Sequence, residues 1–399
     1  MKTMLRLTVL ALLMFAISSV VAQDTVTPED LIAQLPETLQ ALYANTASPV
    51  LPSAYDDFAA VDAPWHWCHS ESYQGNPWRV SVTNELQRLA DIYIAEGLVS
   101  EFEVSDSNGD VAQQNAQIRA FIDKGCDIIT SIAGSSTGLD DAIEAAFNAG
   151  IPFVTVAGAV TSPYAINVDE NYNRWGYDMA NAIISELPDG GNVLLVEGIA
   201  GHPIVVMERA GADEAFAAAA NINIIGSVNG DWTPSVTKSV VLQFLATNPN
   251  PVDAVWTTGS ESRLVAEAFA EAGRPQPVIT SSISGDALGY WHEHQDDFHF
   301  TGHAVLPVPT AQALFRVGVR LLMGQHPLLN TLMMPIPPVT PDSLPDWYSE
   351  CMTVDSVSTF PIPPEDRMPE EVLNAYFANG EAIPFFDYAE TPDPCAAES

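Results

Sequence analysis

Residues 111–157 read VAQQNAQIRAFIDKGCDIITSIAGSSTGLDDAIEAAFNAGIPFVTVA, and this stretch decides the fold. Segments with a helical repeat of apolar residues alternate here with short, continuous apolar runs. Such an alternation is typical of a parallel sheet that is covered by helices on both faces. The pattern predicts helices over 111–124 and 138–149, and strands over 127–132 and 152–157.

The same alternation extends in both directions and forms two successive runs, each about the size of one domain. The first run begins at Trp65, and the join to the second falls near 161–167. We therefore predict an α/β fold of two doubly wound parallel-sheet lobes joined by a multi-crossing hinge. The other predicted strands cover 65–70, 101–105, 192–197, 222–228, 252–257, 277–281 and 298–305, and the other helices cover 77–96, 172–187, 204–220, 234–247, 260–272 and 310–323.

The chain divides into five predicted segments. Residues 1–22 have a basic start, an apolar core and small residues before the expected cleavage point, which is the pattern of a secretory signal peptide. An uncleaved membrane anchor is the alternative for this stretch. Export to the periplasm or the extracellular space is therefore expected. The remaining segments are an N-terminal extension (23–64), an N-terminal lobe (65–165 plus about 304–324), a C-terminal lobe (166–303) and a Pro-rich C-terminal extension (325–399).

The charge balance limits the classes of partner. The chain holds 51 Asp and Glu against 14 Lys and Arg, for a formal net charge of −37. A surface of this sign repels nucleic acid and anionic lipid headgroups. Adaptation to salty or acidic surroundings explains the excess more simply than a cation-binding surface, because the acids are dispersed.

Four cysteines are present, at 68, 126, 351 and 395. An exported protein can hold disulfides. Cys351 and Cys395 both lie in the C-terminal extension and could form a disulfide within it. Cys68 and Cys126 lie at predicted core strands and could equally be buried thiols.

Ligands of open parallel sheets bind outside the carboxyl ends of the strands. With two such sheets facing each other, the cleft between them is the expected site. The first loop there contains Asn76, Trp78 and Arg79. The amide of Asn76 can donate and accept hydrogen bonds, and the indole of Trp78 offers an aromatic face for the C–H side of a sugar ring. The planar guanidinium of Arg79 presents several N–H donors in a fixed arrangement. Pro77 suits a first helical turn, so Asn76 could instead be a helix cap.

The order of several short motifs resembles the type I periplasmic binding proteins of the ribose and sugar-binding family. The resemblance spans about 65–320 and implies two lobes that close on a sugar. It carries Asn76, Trp78, Arg79 and Trp232 over as ligand contacts. The matching pieces include NPWR (76–79), KGCDII (124–129), NAGIPFV (148–154), NVLLVEGIAG (192–201), ERAG (208–211) and DWT (231–233).

Several sugar-binding groups of that family are replaced in this chain. Its Asp-Arg pair is replaced by Ala157-Gly158, its ligand arginine falls at about Met207, and its Asn-Asp pair falls at 259–261. These changes argue against ribose as the ligand. Glu261, Ser282 and Trp291 are predicted site residues from their position alone.

The sequence thus predicts a protein that captures a sugar or related polyol and delivers it to the permease of an ABC transporter. The alternative is a sensing module that presents the bound molecule to a membrane receptor. No motif of an enzyme, a phosphate-binding loop or a helix-turn-helix occurs, so we expect no catalytic residue and no cofactor. We also expect the protein to be a monomer. A metal site at His292, His294, His299 and His303 is disfavoured, because their spacing fits no compact ligand set.

Overall fold

The computed structural model describes residues 26–396, so the predicted signal peptide lies outside the described part of the chain. Two short helices, α1 (Pro28–Ile32) and α2 (Glu37–Gln40), precede the first strand. No helix within 26–396 is long and apolar enough to cross a bilayer.

Six strands form the first sheet, and all of its neighbouring pairs are parallel. The strand order is β11-β5-β4-β3-β1-β2. Every residue of β3, β4 and β5 is buried, as expected of strands covered by helices on both faces. The strands are β1 (Trp65–Glu71), β2 (Val99–Asp106), β3 (Ile128–Ile132), β4 (Phe153–Val156), β5 (Ala165–Glu170) and β11 (Thr331–Met334).

The second sheet also has six strands, in the order β12-β10-β9-β8-β6-β7. Its pairs are parallel except for β12, which runs antiparallel to β10. Two sheets of parallel strands with helices confirm the predicted fold class. The strands are β6 (Gly191–Glu197), β7 (Ile222–Asn229), β8 (Ala254–Thr257), β9 (Val278–Ser282), β10 (Phe300–His303) and β12 (Pro338–Val339).

Eight connecting helices, α3 to α9 and α11, begin and end within three residues of their predicted bounds, whereas α10, α12 and α13 were not predicted. In α4, Asp110 caps the first turn by accepting hydrogen bonds from two backbone N–H groups, and Gly125 ends the helix in the left-handed conformation that favours glycine (φ 76°). The helices are α3 (Pro77–Ala95), α4 (Val111–Lys124), α5 (Asp140–Asn148), α6 (Tyr172–Glu186), α7 (Pro203–Ala218), α8 (Pro234–Thr247), α9 (Ser262–Glu271), α10 (Gly285–Glu293), α11 (Pro307–Leu322), α12 (Leu344–Trp347) and α13 (Glu370–Tyr376).

The first sheet extends past the expected join between the lobes. Strand β5 pairs with β4 through Val156 and Val168, so the chain leaves this sheet after Glu170 rather than at 165. The sequence pattern did not predict this strand, because the eight residues 157–164 that separate it from β4 contain no helix, so the strand–helix alternation is interrupted here. The chain returns from the second sheet between β10 and α11.

Helices α6 and α7 approach each other closely through two glycines. A Cβ on Gly176 would lie 1.9 Å from the carbonyl oxygen of Glu208, and one on Gly211 would lie 1.9 Å from that of Asn173. Only glycine permits this contact, which brings the first turns of both helices to the space between the sheets.

The C-terminal extension is an integral part of both lobes. Strand β11 pairs with β5 of the first sheet, and β12 then pairs with β10 of the second. Beyond them, Met352 and Phe360 are buried in the core of the second lobe, whereas Leu373 and Tyr376 are buried in that of the first. The extension therefore crosses between the lobes more than once.

Buried charges explain why the extension packs tightly on α11. The side chains of Arg316 and Arg320 are almost fully buried within the first lobe. Arg316 donates to Asp366 (2.6 Å) and to Glu370 (3.2 Å), and Arg320 also donates to Glu370. Buried guanidinium groups without such partners would be strongly destabilising, so the extension supplies the charges that α11 requires.

Both cysteine pairs are disulfides. Cys351 and Cys395 are bonded within the extension, as the sequence suggested. Cys68 and Cys126 are bonded as well, which corrects the alternative of two buried thiols. Cys68 lies in β1 and Cys126 lies two residues before β3, and these two strands are neighbours in the sheet, so the two side chains meet.

Replacing Glu370 with Gln should lower the free energy of unfolding by about 2–4 kcal/mol, because Arg316 and Arg320 both lose a carboxylate partner. Denaturant unfolding followed by circular dichroism measures this difference. Glu371→Gln is the matched control, because Glu371 is exposed on the same helix turn and should change stability by less than about 0.5 kcal/mol. Equal midpoints for the two variants would contradict the assigned role of Glu370.

Candidate functional site

A cleft lies between the carboxyl ends of the two sheets and encloses about 820 Å³, counted to its open mouth. The first turns of α3, α6 and α7 reach it, together with the loops that follow β7, β8 and β9. Val305, at the return crossing, and Val357 and Phe360 of the C-terminal extension complete its walls. This is the location that the positional rule for parallel sheets predicts.

Six of the seven predicted site residues line this cleft: Asn76, Trp78, Arg79, Trp232, Glu261 and Ser282. The structure does not bring Trp291 to it. The indole of Trp291 packs edge-on against Tyr348, with 6.3 Å between ring centroids. Trp291 lies near the end of α10, against the C-terminal extension, whereas it is the first turn of this helix that reaches the cleft, through Asp286.

Arg79 is held by protein partners on both sides of the cleft. Its Nη1 donates to Glu71 (2.5 Å) and to Ser72 (2.9 Å), and both carboxylate and guanidinium are buried. Its Nη2 lies 3.1 Å from Nε2 of His202, at the start of α7 in the second lobe. Burial and the adjacent guanidinium hold the pKa of His202 well below its usual range, so the imidazole is neutral and accepts this bond. Arg79 thus links the lobes.

Asn76 and Trp78 also have structural partners. Asn76 caps α3, because its side-chain oxygen accepts from the backbone N–H of Arg79 (2.9 Å). Only the amide nitrogen is then left to donate into the cleft. The indole N–H of Trp78 donates to the carbonyl of Val305 (3.1 Å), so this ring presents carbon atoms to the cleft.

Trp232 stands on the opposite wall in a constrained backbone. Asp231 and Trp232 both have positive φ, at 53° and 50°. The indole N–H donates to the carbonyl of Thr258 (3.1 Å), and His202 packs edge-on against the ring with centroids 4.8 Å apart. A strained backbone that is fixed by its surroundings is characteristic of functional positions.

Glu261 and Ser282 supply polar atoms at the second-lobe wall. Burial, with a smaller contribution from nearby Asp286, raises the pKa of Glu261 to about 7. The hydroxyl of Ser282 exchanges hydrogen bonds with the backbone of Val305, at 3.2 Å and 3.1 Å. Ser282 therefore joins β9 to the crossing between the lobes at Val305. Glu261 instead places its carboxyl group at the cleft wall.

Tyr172, Trp175 and Glu208 are among the lining residues that the sequence did not predict. Glu208 is 1% exposed, and neither carboxylate oxygen has a hydrogen-bond partner. Burial raises the pKa of Glu208 well above its usual range, and Glu170 and Glu197 add to the effect. The signal for Glu208 was available, because the missing family arginine falls at about Met207, one residue away.

Two acids at the carboxyl ends of strands, Asp169 and Glu197, are bonded to protein groups. Asp169 does not cap α6; Asn171 does, by accepting from the backbone N–H of Arg174 (2.9 Å). Asp169 instead accepts a hydrogen bond from Ser48 (2.6 Å). Glu197 turns away from the cleft and bonds Arg209 (2.7 Å).

Residues 70–325 match the family profile described as a periplasmic binding protein domain. The chain belongs to the periplasmic binding protein family. The matched region begins within β1 and ends just after α11, so most of the C-terminal extension of this binding protein lies outside it.

Curated relatives of this binding protein are similar over parts of their length. The D-allose-binding periplasmic protein of Escherichia coli is 33% identical over 108 residues, which cover 27% of this chain and 34% of that protein. The galactofuranose-binding protein of the same species is 25% identical over 236 residues, or 57% of this chain and 73% of that one.

Solved structures agree with the fold. An ABC transporter solute binding protein from Thermobispora bispora superposes with a TM-score of 0.69 at 24% identity, covering 75% of this chain and 92% of that one. The periplasmic binding protein component of the arabinose ABC transporter from Shewanella sp. ANA-3 gives a TM-score of 0.63 at 20% identity, covering 70% of this chain and 93% of that one.

The raised pKa of Glu261 predicts a pH dependence of stability. The folded state keeps this proton up to about pH 7, whereas an unfolded chain loses it near pH 4.5, so stability falls as pH rises between these values. Glu261→Gln removes that loss and should stabilise the protein at pH 8 by about 1–2 kcal/mol, with little change at pH 4. Thermal unfolding at both pH values measures the effect.

Glu214→Gln is the control for this measurement, since Glu214 is exposed on α7. It should shift stability by a similar small amount at both pH values. A Glu261→Gln variant that is no more stable than wild type at pH 8 would disprove the raised pKa of Glu261.

Proposed function

We propose that this protein captures a sugar or related polyol in the cleft between its lobes, outside the cytoplasm, and delivers it to the permease of an ABC transporter. The observation that carries the proposal is the pair of indoles, Trp78 and Trp232, on opposite walls of one cleft. Both rings have their N–H groups bonded to backbone carbonyls, so they offer apolar faces to the C–H side of a sugar ring.

Polar groups around these rings suit hydroxyls. Asn76 keeps an amide nitrogen to donate, Arg79 keeps N–H groups not bonded to Glu71, Ser72 or His202, and Glu261 can accept. Hydroxyls buried in a closed cleft require such partners, because unpaired polar groups cost free energy. The names of the relatives, which bind allose and galactofuranose, support this class of ligand.

Closure of the lobes is part of the proposal. A ligand that contacts both walls stabilises the closed arrangement by its differential affinity for it. The bond from Arg79 to His202 joins the walls in the present structure, so ligand and this bond favour the same closed form. We also propose that residues 1–22 direct export, and that the protein is a monomer without catalytic activity.

Trp232→Ala should weaken binding of the cognate sugar at least tenfold, because it removes one of two stacking faces from the cleft. Isothermal titration calorimetry with a panel of sugars and polyols measures the loss. Trp291→Ala is the matched control, an equal truncation outside the cleft, and should change affinity by less than threefold. Arg79→Ala is less suitable, since it leaves Glu71 buried without its partner.

Equal affinities for wild type and Trp232→Ala would reject the site. A tenfold loss in Trp291→Ala, with none in Trp232→Ala, would move the site toward α10. Failure of every sugar and polyol to bind the wild-type protein would reject the ligand class.

A further inference from the structure

The carboxyl group of Glu208 is the most conspicuous unsatisfied group in the cleft. It lies on α7, is 1% exposed, and lines the cavity with both oxygens unpartnered. A buried acid without hydrogen bonds is costly to the fold. Such a group persists where a ligand supplies what the protein does not.

The neighbouring cations are already committed to other acids. Arg79 is bonded to Glu71 at 2.5 Å, and Arg209 is bonded to Glu197 at 2.7 Å. Arg367, from the C-terminal extension, is bonded to Glu170 at 2.6 Å. Among residues 26–396, none of these arginines contacts the Glu208 carboxyl group.

Most of the other charged side chains that line the cleft are also acidic. Glu261 and Asp286 also line it, and Arg79 is the single Lys or Arg among the lining residues of the described chain. Asp286 is neutralised by Arg263 at 2.8 Å. Once the paired groups cancel, Glu208 and Glu261 are the two acids of the cleft wall without a cation beside them. A positively charged ligand would favour the ionised form of both carboxyl groups, and so lower the pKa that burial raises in the free protein.

Aromatic groups lie beside Glu208. Tyr172 and Trp175, from the first turn of α6, line the same cleft with ring centroids 6.4 Å apart, and the adjacent Gly176 packs against the backbone of Glu208. Trp175 is 3% exposed, and its indole N–H has no hydrogen-bond acceptor. Aromatic faces attract cations, and an unsatisfied indole donor suits a ligand oxygen.

We propose that the cleft selects a sugar or polyol that carries a protonated amino group, with the ammonium bound by Glu208 and a neighbouring hydroxyl by Trp175. The inference rests on the proposed function, since it names the chemical class of the captured ligand. An ammonium supplies up to three donors and a charge, whereas a neutral hydroxyl supplies one donor.

Calorimetry on the full chain at pH 7 tests this with matched pairs of ligands. The pairs are glucosamine and glucose, galactosamine and galactose, and mannosamine and mannose, each with its N-acetylated form, which lacks the charge. Wild-type protein should bind at least one amino sugar about 10- to 100-fold more tightly than its neutral and N-acetylated partners.

Glu208→Gln should abolish that preference, because the neutral amide cannot balance an ammonium. Its thermal midpoint should equal or exceed that of wild type, which verifies that it folds. Glu214→Gln, on the exposed face of the same helix, should leave the preference unchanged.

The outcomes separate the two proposals. Tight binding of a neutral sugar with no gain from the amino group overturns this inference and leaves the proposed function intact. An amino-sugar preference that survives in Glu208→Gln also overturns the role of Glu208. No binding of any neutral or amino sugar overturns both.

Discussion

The buried ion pair between Glu71 and Arg79 is the interaction on which the site depends. Glu71 ends β1 and Arg79 lies in the first turn of α3, so the pair fixes the first strand–helix connection. From that position the guanidinium extends to His202 in the second lobe. A buried guanidinium needs several acceptors, and it finds them only when strand, helix and opposite lobe are together.

The same principle governs the C-terminal extension. Arg316 and Arg320 in α11 are buried charges whose acceptors come from Asp366 and Glu370. In the opposite sense, Arg367 of the extension supplies the cation for an ion pair with Glu170, at the end of β5, where the chain leaves the first sheet. The extension is therefore held on the first lobe by buried ion pairs. Its disulfide links Cys351, in a segment packed on the second lobe, to Cys395.

Much of the fold followed from periodicity. Helix α4 matches its predicted bounds, and α3 and α8 differ from theirs by at most one residue, because their apolar repeats and caps are local features. Strands β5, β11 and β12 were not predicted. Strands β11 and β12 are only four and two residues long, and all three segments become strands because a neighbouring strand is available to pair with them.

The sequence by itself determined the two lobes, the position of the cleft and six residues that line it, because strand–helix alternation fixes which loops share the carboxyl edge of a sheet. Only the tertiary structure decided which charges in that cleft are already neutralised. Arg79 looked like a free donor and is largely bonded, whereas Glu208 looked like one acid among 51 Asp and Glu and is unpaired in the wall. The reason is physical: the pairing of a charge depends on residues distant in the chain, and desolvation depends on the packing around it.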